Sequence, residues 1–270
     1  MPYRIRSALR KSYYSSVDTL ELLLRRRDRL TPPKRKSLYV GGGDFRGIGQ
    51  EFCRYFIELG KLQPDERVLD VGCGIGRMAV PLARYLSEDG EYWGFDIVRD
   101  GIEWCERNLA KQFPNFHFQW VNIYNKSYNP LGQYKASEYK FSYEDAAFDF
   151  AFATSVFTHL LPPDTENYLS EMSRVLKPGG RCLITFFLLN DDSLRLIKAG
   201  ASTLDFQYEL DGCLTVNEGV PEAAVVYDER LIRELCQRYH LEVAQPIRYG
   251  SWCGRGEFLS YQDIIVAAKA

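Results

Sequence analysis

The segment VLDVGCGIGR, from Val68 to Arg77, combines an apolar run with three closely spaced glycines. The apolar run predicts a buried β-strand, and the glycines at 72, 74 and 76 predict a tight turn into a helix. Glycines in such a turn let the backbone approach a ligand closely and place helix N-terminal N–H groups against it. The segment therefore predicts a ligand-binding turn after the first strand of an α/β sheet.

From residue 67 onward, short β-rich runs alternate with helical segments. This alternation favours a doubly wound, Rossmann-like α/β fold with a parallel sheet. We predict seven strands, at 67–71, 91–96, 116–123, 148–153, 180–188, 243–249 and 262–268. The predicted helices are 51–59, 76–87, 99–111, 164–176 and 228–239. Together they form one predicted domain over residues 51–270.

Residues 1–50 are predicted to form a separate N-terminal region, a basic helical arm followed by a glycine-rich lid segment. The first 40 residues hold eleven of the 34 Lys and Arg residues but three of the 36 Asp and Glu residues. The arm either packs an apolar stripe on the domain, which we favour, or contacts an anionic membrane surface or an acidic partner. The remaining body is acidic, which argues against nucleic acid and favours a small-molecule partner.

Composition excludes several other classes. With 46% hydrophobic and 26% charged residues, the 270-residue chain is typical of a globular protein. We expect a cytoplasmic location, because no apolar run approaches the roughly 18 residues that span a bilayer and the basic N-terminus lacks the apolar stretch of a signal peptide. The seven cysteines and three histidines lack metal-ligand spacing, so we expect no metal site.

Two details bear on which nucleoside ligand the glycine turn binds. The dinucleotide fingerprint G-x-G-x-x-G requires glycine at 77 or at 79, where this chain has Arg77 and Ala79. Asp70, at the end of the predicted strand, repels a pyrophosphate but attracts an ammonium group. A ligand with an amino-acid end therefore fits better than a nicotinamide dinucleotide.

The ends of the next two predicted strands carry side chains suited to a nucleoside. Asp96 ends the second strand, where a carboxylate can accept hydrogen bonds from both ribose hydroxyls. Asn122 and Ile123 end the third, where the amide suits the adenine amino group and the isoleucine suits the ring. The three strand ends together outline sites for ammonium, ribose and adenine.

These residues resemble the class I S-adenosylmethionine-dependent methyltransferases, in particular the bacterial members that act on small molecules. The resemblance covers about residues 67–190 and includes SVFTHL from Ser155 and RVLKPGG from Arg174. It implies a sheet of order 3-2-1-4-5-7-6 with the last strand antiparallel, and S-adenosylmethionine as cofactor. The chain departs from the pattern at Asn122, where many members have an acid. The predicted cofactor-binding residues are Asp70, Gly72, Cys73, Gly74, Gly76, Arg77, Asp96, Ile97, Asn122, Ile123 and Thr154.

His159 follows the fourth predicted strand, at the edge where the reactive methyl lies in this fold. Its imidazole either takes a proton from an acceptor hydroxyl or forms a structural hydrogen bond to a loop. We expect O-methylation of a small molecule or glycan. The alternatives are an N-methyltransferase of a protein or metabolite, a nicotinamide-dependent oxidoreductase, and a binding module without turnover.

Three further stretches invite an interpretation. Residues 124–147 and 190–226 interrupt the regular alternation and are candidates for substrate specificity, because long loops in compact domains are often functional. Trp252 and Arg255 lie in a glycine-rich stretch between the last two predicted strands. They either contact the acceptor or form a turn with a buried indole, and we favour the second interpretation.

Overall fold

The computed structural model describes residues 16–19, 28–37 and 43–270. Most of the predicted N-terminal arm, and part of the predicted lid, therefore lie outside the described residues. Within these ranges, no helix combines the length and the apolar character that a bilayer crossing requires.

A seven-stranded sheet organises the domain, with the order β3-β2-β1-β4-β5-β11-β10. Neighbouring strands from β3 to β5 run parallel, β11 runs antiparallel to β5, and β10 runs antiparallel to β11. The predicted fold class, strand order and antiparallel last strand are confirmed. The strands are β1 (Arg67–Val71), β2 (Glu91–Asp96), β3 (Phe116–Trp120), β4 (Phe148–Ala153), β5 (Leu176–Phe186), β10 (Leu241–Val243) and β11 (Asp263–Lys269).

A second, four-stranded sheet was not predicted. Its order is β6-β9-β8-β7, and three of its strands lie wholly or partly in the irregular stretch that follows β5. The strands are short, which explains why no alternating pattern was evident in the sequence. They are β6 (Leu188–Leu189), β7 (Tyr208–Leu210), β8 (Cys213–Thr215) and β9 (Val225–Asp228).

The helices flank the large sheet and connect its strands. They are α1 (Lys34–Ser37), α2 (Phe45–Glu58), α3 (Ala79–Tyr85), α4 (Arg99–Cys105), α5 (Pro162–Val175), α6 (Asp191–Lys198) and α7 (Glu229–Arg238). A π-helical turn, Glu106–Ala110, extends α4, and 3₁₀ turns occur at Ala136–Glu138, Phe157–His159 and Pro221–Ala223.

Several predicted boundaries were wrong. The helix predicted from residue 51 begins at Phe45, within the predicted lid segment, and β5 begins at Leu176 rather than at residue 180. Three other differences have identifiable reasons. The helix predicted from residue 76 begins at Ala79, because the glycine turn before it has positive φ angles. β3 ends at Trp120 rather than at residue 123, because Trp120 pairs with Asp96 and β2 ends there. The strand predicted over 243–249 is instead Leu241–Val243; a proline at 246 cannot donate to a strand ladder.

The central strands are buried on both faces. Leu69 and Val71 belong to the hydrophobic cluster on one face of the sheet, whereas Val68 belongs to the cluster on the other. In β4, Phe150 and Phe152 likewise alternate with buried alanines of the opposite cluster. Parallel strands covered by helices on both faces read as continuous apolar runs, which is why the sequence predicted them well. In such a sheet, polar groups that bind ligands lie at the carboxyl ends of the strands.

Candidate active site

A cavity of about 810 Å³ opens at the carboxyl ends of β1, β2 and β4. Of the predicted site residues, ten border it: Asp70, Gly72, Cys73, Gly74, Arg77, Asp96, Ile97, Ile123, Thr154 and His159. Its size is within the usual range for small-molecule sites. The edge of the sheet thus brings together residues that lie up to 89 positions apart in the sequence.

The glycine turn docks against the end of β2. The N–H groups of Gly72 and Cys73 both donate to the carbonyl of Phe95, at 2.9 and 3.0 Å. Gly72 has φ +79°, and a Cβ there would lie 2.4 Å from the Val156 side chain. Only glycine therefore allows the turn this conformation at this distance from the residues that follow β4.

Gly76 does not border the cavity, although it was predicted to bind the cofactor. It has φ +76°, and a Cβ at this position would lie 2.7 Å from Leu109 Cδ1 and 3.0 Å from Cys105 Sγ. Its observed role is close packing of the turn against the π-helical extension of α4. Its part in cofactor binding stays a prediction.

Asp70 is a buried carboxylate with one free oxygen. It is 1% exposed, and its Oδ2 accepts a hydrogen bond from the Tyr92 hydroxyl at 2.6 Å. Oδ1 has no hydrogen-bond partner among the described residues. Burial raises the pKa of Asp70 to about 8, the charge of Asp96 acts in the same direction, and the Tyr92 hydrogen bond opposes both. An unpartnered, buried carboxylate oxygen beside a cavity suits a cationic ligand.

Asp96 holds the glycine turn while bordering the cavity. Its Oδ2 accepts from the Gly74 N–H at 2.8 Å, and its Oδ1 accepts from the Val98 N–H at 2.7 Å. Burial raises its pKa to about 6, and these backbone hydrogen bonds act in the opposite direction. A carboxylate has about four acceptor positions, so not all of them are used by the backbone and acceptor capacity remains for the hydroxyls of a ribose.

The predicted adenine side is only partly assembled from the predicted residues. Ile97, just after β2, and Ile123, three residues after β3, both border the cavity and offer it apolar surface. Asn122 does not border it, and its Oδ1 instead accepts from Asn129 Nδ2 at 3.3 Å. Adenine recognition by Asn122 therefore stays a prediction that this contact does not favour.

His159 makes the structural hydrogen bond considered for it, and its catalytic role stays a prediction. Its Nδ1 lies 2.8 Å from the carbonyl oxygen of Glu222, and the residue also borders the cavity. A carbonyl only accepts, so Nδ1 carries the proton and Nε2 of the neutral ring has the lone pair. Burial lowers the pKa of His159 below its ordinary 6.5, although the carbonyl opposes this shift. The imidazole is consequently neutral near pH 7 and able to accept a proton at Nε2.

Several cavity residues were not predicted individually. Tyr128 makes an edge-to-face contact with His159, with ring centroids 5.6 Å apart, and Asp164 borders the same space. Tyr128 belongs to the irregular stretch 124–147, and Glu222 belongs to the stretch 190–226. Both stretches contribute to the cavity, and their unusual length was the only signal in the sequence.

The rest of the wall comes from α2 and from the residues before β11. Ile48 and Phe52 of α2 border the cavity, as do Tyr261 and Gln262. Tyr55, also on α2, donates its hydroxyl to the Leu259 carbonyl at 2.7 Å and so ties the two segments together. Nothing in the sequence indicated that residues 260–262 reach the site.

Trp252 and Arg255 lie away from the cavity. The Trp252 indole is fully buried, and its Nε1 donates to Asp263 at 2.8 Å. Arg255 stacks on Tyr249 and donates to Asn190 at 2.8 Å. These contacts agree with the favoured interpretation of a glycine-rich turn around a buried indole.

Comparison with known proteins places the chain in a family. Residues 62–217, more than half of the chain, match the family model described as a methyltransferase domain. The chain therefore belongs to the class I S-adenosylmethionine-dependent methyltransferases, with the sheet order that this class implies. This membership decides between the two nucleoside-binding enzyme classes that the glycine turn had left open.

Individual relatives are distant. The chain is 27% identical over 162 residues to a 2-phytyl-1,4-naphtoquinone methyltransferase of Trichormus variabilis, a match covering 59% of this chain and 62% of that protein. It is 30% identical over 121 residues to an O-methyltransferase of Penicillium expansum, covering 44% and 37%. The chain thus matches less than two thirds of the length of either relative.

A solved structure with the same fold is the 1,6-didemethyltoxoflavin-N1-methyltransferase of Burkholderia thailandensis, which contains 1,6-didemethyltoxoflavin and S-adenosylhomocysteine. The match covers 100% of this chain and 91% of the Burkholderia chain. The TM-score is 0.55 and the sequence identity is 17%. At this identity the likeness concerns the fold alone.

Proposed function

We propose that this chain binds S-adenosylmethionine in the cavity and transfers its methyl group to a hydroxyl of a small molecule or glycan. The observation that carries the proposal is the juxtaposition, around one cavity, of the glycine turn, two buried carboxylates and His159. The family membership supports the cofactor. The acceptor and the oxygen as its reacting atom are inferred from the residues that surround His159.

The buried carboxylates fit the two polar ends of the cofactor. Asp70 offers its free oxygen to the ammonium group, and Asp96 offers its remaining acceptor positions to the ribose hydroxyls. Ile97 and Ile123 offer apolar surface to the adenine. When bound, S-adenosylmethionine supplies an electrophilic methyl group on its sulfonium. The chain itself contributes alignment, which is the main requirement of an in-line displacement.

His159 accounts for the proton that an acceptor hydroxyl must lose. As the oxygen forms its bond to the methyl carbon, Nε2 of His159 takes the hydroxyl proton, and the carbon–sulfur bond breaks to leave S-adenosylhomocysteine. The Glu222 carbonyl keeps the proton on Nδ1 and so keeps Nε2 available. General base catalysis of this kind contributes typically about 10²- to 10⁴-fold.

The test is incubation with methyl-labelled S-adenosylmethionine and fractionated cell metabolites. We expect formation of S-adenosylhomocysteine together with label in a small molecule or glycan, attached to oxygen. Label that appears only in protein or nucleic acid, or no turnover with any fraction, would contradict the proposal. Mass spectrometry and NMR of the labelled product identify the methylated atom.

One observation favours N-methylation as the second candidate. Asp164 borders the cavity and forms no ion pair within residues 16–19, 28–37 and 43–270, and Glu222 borders the cavity as well. Burial and the charge of Glu222 raise the pKa of Asp164. Two neighbouring carboxylates suit an amine acceptor, and a product methylated on nitrogen would select this candidate.

A further inference from the structure

Tyr92 is a fully buried tyrosine on β2 whose hydroxyl reaches Asp70 on β1. The phenol O–H donates to Asp70 Oδ2 at 2.6 Å. The ring stacks on Phe116 of β3, with centroids 4.8 Å apart and an interplanar angle of 12°. A buried phenol needs a hydrogen-bond partner, and the packing of its ring decides where that partner must lie. The hydroxyl of Tyr92 is therefore held at a defined point of the sheet.

Gly94 provides the space for this contact. Gly94 pairs with Asp70 across the β1–β2 ladder, and Tyr92 lies two residues earlier on the same face of the strand. A Cβ on Gly94 would lie 2.9 Å from the Tyr92 hydroxyl. The absent side chain lets the phenol extend along the strand to the carboxylate.

The carboxylate of Asp70 connects Tyr92 to the cavity. Asp70 borders the cavity whereas Tyr92 does not, and the Asp70 oxygen that Tyr92 leaves free has no partner among the described residues. Because a hydroxyl donates more favourably to a charged oxygen, the contact both orients the carboxylate and favours its ionised form. The Tyr92 hydrogen bond indeed lowers the pKa of Asp70 against the effect of burial.

We propose that Tyr92 is a positioning residue for the cofactor. By holding one oxygen of Asp70, it directs the other oxygen, in its ionised form, at the ammonium group of S-adenosylmethionine. The inference rests on the proposed function and adds to it a residue that does not touch the cofactor.

None of the other titratable groups near Asp70 stabilises its ionised form as the Tyr92 hydroxyl does. Asp96, on β2, repels the Asp70 charge rather than stabilising it. Cys73 in the glycine turn and Cys105 at the end of α4 are also close, but burial raises the pKa of both thiols, so they stay neutral. Among the groups that act on Asp70, the Tyr92 hydroxyl is the hydrogen-bond donor.

The experiment compares two known compounds by calorimetry. S-adenosylhomocysteine carries the amino-acid end, and 5′-methylthioadenosine carries the adenosine and the thioether without it. Tyr92→Phe should weaken S-adenosylhomocysteine binding about tenfold just above pH 8, where Asp70 is ionised, because it removes a hydrogen bond to a charged group. Its affinity for 5′-methylthioadenosine should stay within about twofold of the original, since that compound makes no contact with Asp70. The pH dependence of S-adenosylhomocysteine binding should also move to higher pH.

Tyr85→Phe is the matched control, because it removes a phenol hydrogen bond to the Leu62 carbonyl, outside the cavity. It should leave the affinity for both compounds unchanged. If Tyr92→Phe does not fold, Gly94→Ala is the second variant. Its added methyl group would crowd the Tyr92 hydroxyl and also Cys73 of the glycine turn, so only a loss confined to S-adenosylhomocysteine supports the role of Tyr92.

The outcomes separate this inference from the proposed function. Equal losses for both compounds, or an unchanged affinity for S-adenosylhomocysteine, would show that Tyr92 only packs the sheet, while the cofactor site would stand. If the unmodified protein binds neither compound, the proposed function fails, and the inference fails with it.

Discussion

The two halves of the cavity are built in different ways. The proposed cofactor half consists of Asp70, the glycine turn and Asp96, all at the ends of adjacent parallel strands. The proposed acceptor half centres on His159, which meets Tyr128 of one long connection and Glu222 of another. The sheet itself places the first half, whereas contacts between two separate insertions place the second. Changes in the two insertions, residues 124–147 and 190–226, can therefore alter the acceptor half while the sheet keeps the proposed cofactor half unchanged.

Two contacts show how the acceptor half is held. Lys126 donates to the Gly219 carbonyl at 2.5 Å, which joins the first insertion to the second. Thr215, buried on β8, donates to the Pro221 carbonyl at 2.6 Å and so holds the turn that carries Glu222. The second sheet thus fixes the carbonyl that sets the tautomer of His159.

The largest expected effect belongs to the acceptor half. His159→Ala should lower kcat by about 10²- to 10⁴-fold on the acceptor that the labelling experiment identifies, while the affinity for S-adenosylhomocysteine barely changes. The rate of the unmodified enzyme should fall only below pH 6.5, because the base must be neutral and burial lowers its pKa. Steady-state kinetics and calorimetry measure the two quantities.

His117→Ala is the control for this prediction, because His117 packs against Trp93 and does not border the cavity. It should keep its kcat. A kcat of His159→Ala close to that of the unmodified enzyme would show that His159 has only a structural role. Alignment of the two substrates would then account for the rate.

The next effect belongs to the cofactor half. Asp96→Ala should weaken S-adenosylmethionine binding at least about tenfold, because it removes hydrogen bonds between a charged acceptor and the ribose hydroxyls. Asp100→Ala, on an exposed residue in the first turn of α4, should leave binding unchanged. Because Asp96 also holds the Gly74 N–H, circular dichroism must confirm that the variant is folded. A folded Asp96→Ala variant with full affinity would refute the assignment.

The two halves should also differ in their response to pH. The affinity for S-adenosylhomocysteine should fall by up to about tenfold per unit as the pH drops below 8, because protonation of Asp70 removes the charge that attracts the ammonium. Binding of 5′-methylthioadenosine should weaken only near pH 6, where Asp96 protonates. Calorimetry across this range measures both, and identical profiles for the two compounds would show that Asp70 does not face the amino-acid end.

The smallest expected effect is that of metal removal. Within residues 16–19, 28–37 and 43–270, no group of three or more His, Cys, Asp or Glu side chains is placed to hold a metal ion. We expect turnover to survive treatment with EDTA. A loss of activity that magnesium restores would reveal an ion in the acceptor half.

The prediction of the fold succeeded where the signal is local. The apolar runs of β1 and β4 and the glycines after β1 can be interpreted one segment at a time. The second sheet was missed, because β7 and β8 have three residues each and their alternation is too short to recognise. From the sequence, Tyr92 was predicted only to lie in a strand, because nothing in the sequence shows that its hydroxyl lies beside Asp70.

The sequence by itself determined the class of fold, the glycine turn after β1 and ten of the residues that border the cavity. Backbone conformation at glycines and the burial of apolar strands are properties of short segments, and they survive without knowledge of the rest of the chain. The tertiary structure alone decided that Asn122 turns to Asn129, that Tyr92 holds Asp70 and that Glu222 sets the tautomer of His159. The last contact joins residues 63 positions apart, and such a contact depends on how β8 and β9 pair rather than on any local pattern.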